Sequence, residues 1–362
     1  MTRFDVAIVG AGMAGASLAA EVALHASVLL LEAEDQPGYH STGRSAAFWS
    51  ESYGGPLVQP LTTASGHFLA EGGYLSPRGA LHLADRAGAA ALEALERMFA
   101  GSSVPLERLG EEQLRRRIPG LKHGWTGALW EPSCADIDVA RLHAFYLAAA
   151  KRAAATLVTG EPLKRAERHG TVWHIETRTQ TLEAATLVDA AGAWADAVAA
   201  SCSVAPLGIQ PYRRTLSQLR VDPPVTGGLP LVIDALGRFY FKPEAGGRLW
   251  LSPHDETACE AGDCAAEEYD VALAIDRLEK AVDWRVERVE RSWAGLRSFA
   301  PDRLPIYGFD PAAEGFFWFA GQGGFGIQTA PAAARLGAAL LLGRAVEPGL
   351  DPAHYTPGRF RN

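Results

Sequence analysis

The first residues that constrain the fold are 3–34, RFDVAIVGAGMAGASLAAEVALHASVLLLEAE. Val6 to Val9 is an unbroken apolar run, as a parallel strand covered on both faces requires. Gly10, Gly12 and Gly15 follow with G-x-G-x-x-G spacing. Met13 to Leu24 then reads as a helix, and Val28 to Leu31 as a second strand ending at Glu32. A lone G-x-G-x-x-G says little. Set between a strand and a helix, and trailed by an acid about 20 residues later, it specifies a βαβ unit that cradles a dinucleotide. The glycines let the backbone approach a pyrophosphate, the helix N-terminus favours its charge, and Glu32 is placed to hold a ribose diol.

The totals narrow the class. A chain of 362 residues suits two domains, or one large domain with an insertion. A net charge of −8 argues against a nucleic-acid partner. Arg115, Arg116 and Arg117 read as a solvated helix face. The cysteines Cys134, Cys202, Cys259 and Cys264 include no C-x-x-C pair, so neither a metal site nor a disulfide framework is expected. Reduced thiols point to the cytoplasm. Asp5 and the purposeful glycine spacing mark the N-terminus as mature structure. No apolar run approaches the roughly 18 residues of a membrane span.

Further on, Leu81 to Gly101 reads as strand then helix, and Asp138 to Ala155 as an Ala-rich helix. Three strand-like pieces, ATLVTG, TVWHIETR and TLEAATLVDAAGAW, follow within residues 155–194. From Gln210 to about Trp293 the strand-like pieces are separated by Pro and Gly. This predicts an antiparallel sheet rather than more βαβ units, with an amphipathic helix over Glu267 to Val282. The chain closes with GFFWFAG, the turn QGGFGIQ and a helix from about Ala330.

Five segments together carry a family resemblance: VGAGMAGAS, LEAEDQPGYHSTGRSAA, VDAAGAWAD, WAGLRSFAPD and GFFWFAGQGGFGIQTAPA. In their order and spacing the chain resembles the D-amino-acid oxidase-like FAD-dependent oxidoreductases. Within them it looks most like bacterial D-amino acid dehydrogenases of the D-arginine type. The resemblance implies an α/β chain, α+β overall. A Rossmann-like FAD-binding domain would be built from 1–50, 135–209 and 294–362. A substrate domain of mixed or antiparallel sheet would be inserted as 51–134 and 210–293.

It also implies non-covalent FAD held by Gly10, Gly12, Met13, Ala14, Gly15 and Glu32, and by a wrapping loop with Ser41, Thr42, Arg44, Ser45 and Ala46. Val158, Ala191, Gly192 and Trp194 would add to this, as would Arg297, Gly323, Gly324, Gly326, Ile327 and Gln328 near the C-terminus. Glycines, hydroxyls and one guanidinium suit phosphate oxygens.

For the reaction, the resemblance implies that Arg214 and Arg297 hold a substrate carboxylate. Tyr240 adds a phenol hydroxyl, Tyr53 sits on a lid loop, and Gly324 lies at the reacting centre. Arg213 and Arg214 are neighbours on a strand and point to opposite faces, so one of them enters the site. A hydride would pass from Cα to flavin N5, and the imino acid would hydrolyse to a 2-oxo acid and ammonia. The electron acceptor would be a quinone or other carrier, or oxygen.

Two departures stand out. D-arginine-type enzymes carry a His where this chain has Phe48, and a Glu just after an LSPR stretch. Here Leu75–Arg78 is followed by Gly79 and Ala80. Burying a basic side chain without that acid would be costly. With Leu231 and Ile233 on the expected wall, and Ser50 and Gln328 beside it, the expected substrate is an apolar or aromatic D-amino acid. A secondary amine or imino acid such as sarcosine or proline is the alternative. A flavoprotein assembly factor without catalysis is a further one.

Overall fold

The computed structural model describes residues 3–361. The opening unit forms as its pattern dictates. Strand Arg3–Val9 and strand Val28–Leu31 lie parallel, joined by helix Met13–Val22. They belong to an eight-stranded sheet in which Arg3–Val9 also pairs in parallel with Thr181–Asp189. Phe316–Ala320 lies parallel to the C-terminal end of Thr181–Asp189. The buried residues of these strands alternate between two faces. Ile8 and Leu30 meet helices Met13–Val22, Val139–Arg152 and Ala330–Leu341, while Ala7 and Leu29 pack with Trp173, Leu187 and Trp318 on the other side. Asp138 caps its helix by accepting from the Arg141 N–H at 3.0 Å.

The second sheet has ten strands and is antiparallel throughout, except where Leu231–Asp234 runs parallel to Ala80–Asp85. Its spine is the pairing of Gln210–Asp222 with Arg285–Phe299. Helix Glu268–Ala281 covers one face over a core containing Leu219, Phe241 and Leu251. The other face looks toward the first sheet. The period-two alternation of strands therefore decides which residues face the cofactor half. A small sheet of Phe48–Trp49, Ala135–Ile137 and Leu75–Pro77 bridges the two halves. Helix Gln59–Glu71, inside segment 51–134, packs Leu61 and Leu69 into the core of the first half.

Candidate active site

A cavity of about 370 Å³ opens along the C-terminal ends of the parallel strands, where Val9, Leu31 and Ala190 end. Gly10 turns the chain there with φ of +100°, and a Cβ on it would meet the Ala190 carbonyl oxygen at 2.5 Å. Glu32 accepts from the N–H groups of Ala11 at 2.9 Å and Glu34 at 3.0 Å, which fixes its carboxylate at the cavity edge. Gly12, Met13, Ala14, Ser41, Thr42, Ser45, Ala191, Gly192, Trp194, Arg297, Gly323, Gly324, Gly326 and Ile327 also line it. A narrow, glycine-floored cleft ending in an anchored carboxylate fits a dinucleotide such as FAD.

Five of the expected cofactor residues lie elsewhere. Gly15 faces the backbone: a Cβ there would fall 1.8 Å from the Gly10 carbonyl oxygen, so it serves helix-to-turn packing. Arg44 is held away from the cavity: its guanidinium pairs with Asp263 at 2.5 Å and donates to the carbonyls of Cys264 and Ala294. Val158 is spent on pairing with Leu31 at the sheet edge. Ala46 lines the adjoining pocket rather than the long cavity. Gln328 also reaches only that pocket, and its amide donates to the carbonyls of Ser50 and Tyr53 and to Thr62 Oγ1.

The adjoining pocket is small, about 40 Å³, and shares Ser45, Arg297, Gly324 and Ile327 with the cavity. Phe48, Tyr53, Arg214, Ile233, Tyr240 and His254 complete its working walls. The alternation along Gln210–Asp222 sends Arg214 into the pocket, while Arg213 goes to Glu267 and Asp270 behind the sheet. Arg214 is 3% exposed and donates to Glu256 Oε1 and to the Asp255 carbonyl. Glu256 is shared with the exposed Arg303.

Arg297, 7% exposed, differs: it donates only to the carbonyls of Leu296 and Arg44, and no carboxylate pairs with it among the described residues. Burial and the Arg214 cation lower its pKa, against the pull of the Tyr240 phenol. Burial likewise raises the Tyr240 phenol, which stays neutral. The ring of Phe48 stands 5.4 Å from Tyr53 and 6.2 Å from Tyr240. A Cβ on Gly324 would fall 2.0 Å from Tyr53 Oη, so the bare glycine makes room for that hydroxyl.

Ser50, Ala80 and Leu231 do not line the pocket. Ala80 and Leu231 lie fully buried one layer back, packed with Leu216 and Cys134. Ser50 turns to Glu131, a buried acid that stands in no sequence motif. Glu131 sits directly across the strand pair from Ala80. It accepts from the hydroxyls of Ser50 at 2.9 Å and Ser52 at 2.6 Å and from the Glu51 N–H at 2.7 Å, with His82 3.4 Å away. Together with Gln328 it immobilises residues 50–53 and so presents Tyr53.

Burial works against the charge of Glu131, but His82 and the two hydroxyls overcome it and hold its pKa below the usual range. The lowered folded pKa gives a stabilisation that is present above about pH 4.3, the ordinary glutamate value. It is lost as the pH falls through Glu131's own lower value. Glu131→Ala is expected to cost about 3–5 kcal/mol at pH 7 by orphaning these donors. Urea melts at pH 7 and below pH 4 should show that penalty shrinking with acid, and a constant penalty would contradict it.

His254 is the other wall residue without a sequence signal. It is a lone histidine at a strand end, in the left-handed region at φ of 58°.

Comparison with known proteins agrees with this geometry. Residues 5–340 match the model of the DAO family, described as FAD dependent oxidoreductase. A glycine oxidase of Pseudomonas aeruginosa is 29% identical over 266 residues, covering 70% of this chain and 68% of the relative. The bifunctional protein ThiO/ThiG of Synechocystis sp. is 25% identical over 99% of this chain, which spans only 54% of that relative's length. Among solved structures, glycine oxidase from Geobacillus kaustophilus superposes with a TM-score of 0.86 at 24% identity, covering 98% of each chain. L-proline dehydrogenase from P. horikoshii gives the same TM-score at 20% identity, covering 99% of this chain and 98% of the other. Where the names of these relatives state an activity, it is that of a glycine oxidase or an L-proline dehydrogenase, not of a D-arginine-type dehydrogenase. No described helix is long and apolar enough to cross a membrane. With a family match across nearly its whole length and a fold and cleft to go with it, the chain belongs to the FAD-dependent oxidoreductases of the DAO family.

Proposed function

We propose that the chain oxidises the Cα–N bond of an apolar α-amino acid, D-configured where chiral, and that small side chains are preferred to aromatic ones. The observation that carries this is Arg297, a buried guanidinium without a carboxylate partner, facing the same small pocket as Arg214. A buried cation of that kind is stabilised by a ligand that brings its own carboxylate. FAD, when bound, supplies the two-electron acceptor for the Cα hydride.

The chain's part is orientation. The arginines and the Tyr240 hydroxyl fix the carboxylate, while Phe48 and Ile233 pack against the side chain. The Tyr240 phenol, its pKa raised by burial, stays neutral beside the two cations. Among the described residues no Asp or Glu lines the pocket, which disfavours a cationic side chain. The product imino acid then hydrolyses in water to a 2-oxo acid and ammonia. The glycine oxidase relative supports the preference for small substrates.

An anaerobic panel of glycine, D- and L-alanine, D-leucine, D-phenylalanine, D-arginine, sarcosine and proline tests this by flavin bleaching. Small neutral D-substrates should reduce the flavin at least tenfold faster than D-arginine. A preference for D-arginine would overturn the side-chain assignment. A preference for sarcosine or proline would move the reaction to secondary amines, and no bleaching at all would favour a non-catalytic flavoprotein. Admitting air then separates oxygen from another acceptor.

A further inference from the structure

Apart from the hydroxyls of Ser45, Tyr53 and Tyr240, the pocket's side chains offer a ligand few acceptors. Arg214 and Arg297 are cations that only donate, and Phe48 and Ile233 are hydrocarbon. The amide of Gln328 is committed to Ser50, Tyr53 and Thr62. An amino acid presents the opposite need at its nitrogen, where an N–H must find an acceptor. His254 lines this pocket with its ring edge-on to Tyr240, centroids 5.3 Å apart. Its backbone N–H is held by Ser252 Oγ at 3.0 Å; Nδ1 is buried on the side of Gly237, which does not line the pocket, and Nε2 makes no hydrogen bond among the described residues. A ring nitrogen left without a protein partner at the wall of a ligand pocket is open to a ligand's hydrogen-bonding group.

We propose that a ring nitrogen of His254 accepts a hydrogen bond from the substrate's amino group and so orients the amine beside the arginine clamp. This rests on the amino-acid reading above. Burial, with the Arg214 cation second, pushes the imidazole pKa down to about 3, so a lone pair is available throughout the neutral range. The same two influences disfavour a substrate ammonium, so the neutral amine is the form that fits. A neutral amine is also the form whose nitrogen lone pair can assist loss of hydride from Cα.

The test compares two ligands that differ only in the amino group: D-alanine, read by the concentration dependence of anaerobic flavin reduction, and propionate, read by its perturbation of the flavin absorption band. Because residue 254 has a positive φ, His254→Gly removes the ring without backbone strain, and Asn also tolerates that conformation. His254→Gly is expected to weaken D-alanine roughly ten- to hundredfold and leave propionate within about twofold. His254→Asn, which keeps an acceptor, should recover part of the loss. Equal weakening of both ligands, or of neither, overturns the proposal and leaves His254 as packing. If wild-type holoenzyme is reduced by no amino acid, the amino-acid reading itself fails and the inference with it. A wild type that bleaches beside an unaffected His254→Gly variant sinks the inference alone.

Discussion

Arg297→Met should abolish most turnover while making the protein harder to unfold. Arg297 is buried, flanked by a second cation and hydrogen-bonded only to two carbonyls. Its charge is a cost in the ligand-free protein, and a hydrophobic side chain of similar length removes that cost. The melting temperature of the variant should therefore rise. On the proposed reading the substrate carboxylate, in turn, loses a buried charged partner worth about 3–5 kcal/mol, or roughly two to four orders of magnitude in kcat/KM.

Arg214→Met should behave differently. Glu256 and the Asp255 carbonyl already engage Arg214, so its charge is compensated in the ligand-free protein and no rise in melting temperature is expected. Steady-state kinetics and thermal melts of the two holoenzyme variants decide the matter. An Arg297→Met protein that melts lower than wild type, or turns over normally, would refute the assignment of Arg297 as the unneutralised half of the clamp.

The second large effect concerns the opening turn. Gly15→Ala places a Cβ 1.8 Å from the Gly10 carbonyl oxygen, and neither partner is a side chain that can swing away. The helix must lift off the turn, so FAD should be lost and stability should fall by about 3 kcal/mol or more. Gly12→Ala makes a graded control. Its Cβ would sit 3.3 Å from Thr42 Oγ1, a side-chain atom, so that variant should fold and hold FAD more weakly. Flavin content after purification and denaturant midpoints report both. A Gly15→Ala protein that is yellow and as stable as wild type would contradict the packing argument.

What could be read in advance follows the range of the interactions. The cofactor half rests on local patterns: an apolar strand, glycines at fixed offsets, an acid at the end of the next strand. Period two along Gln210–Asp222 likewise sends Arg213 and Arg214 to opposite faces. Depth behind a wall has no such signal. Ala80 and Leu231 share the pocket's side of the sheet, yet they sit one layer back because Phe48 and Ile233 come first. Arg44 suits phosphate by composition, and it is held away from the cavity because Asp263, 219 positions away in the sequence, pairs with it. Glu131 and His254 stand in no motif. Their roles arise from the segments the fold brings against them, Ser50–Ser52 for one and the arginine-lined pocket for the other.

Ser45, Arg297, Gly324 and Ile327 form a party wall between the long cavity and the small pocket. Occupants on its two sides cannot be independent. Whatever factor a carboxylate ligand adds to the grip on the flavin, the flavin returns to the ligand, since the coupling free energy is one quantity. The dissociation constant of FAD is thus a gauge of the neighbouring pocket, readable with inert carboxylates and without a single turnover.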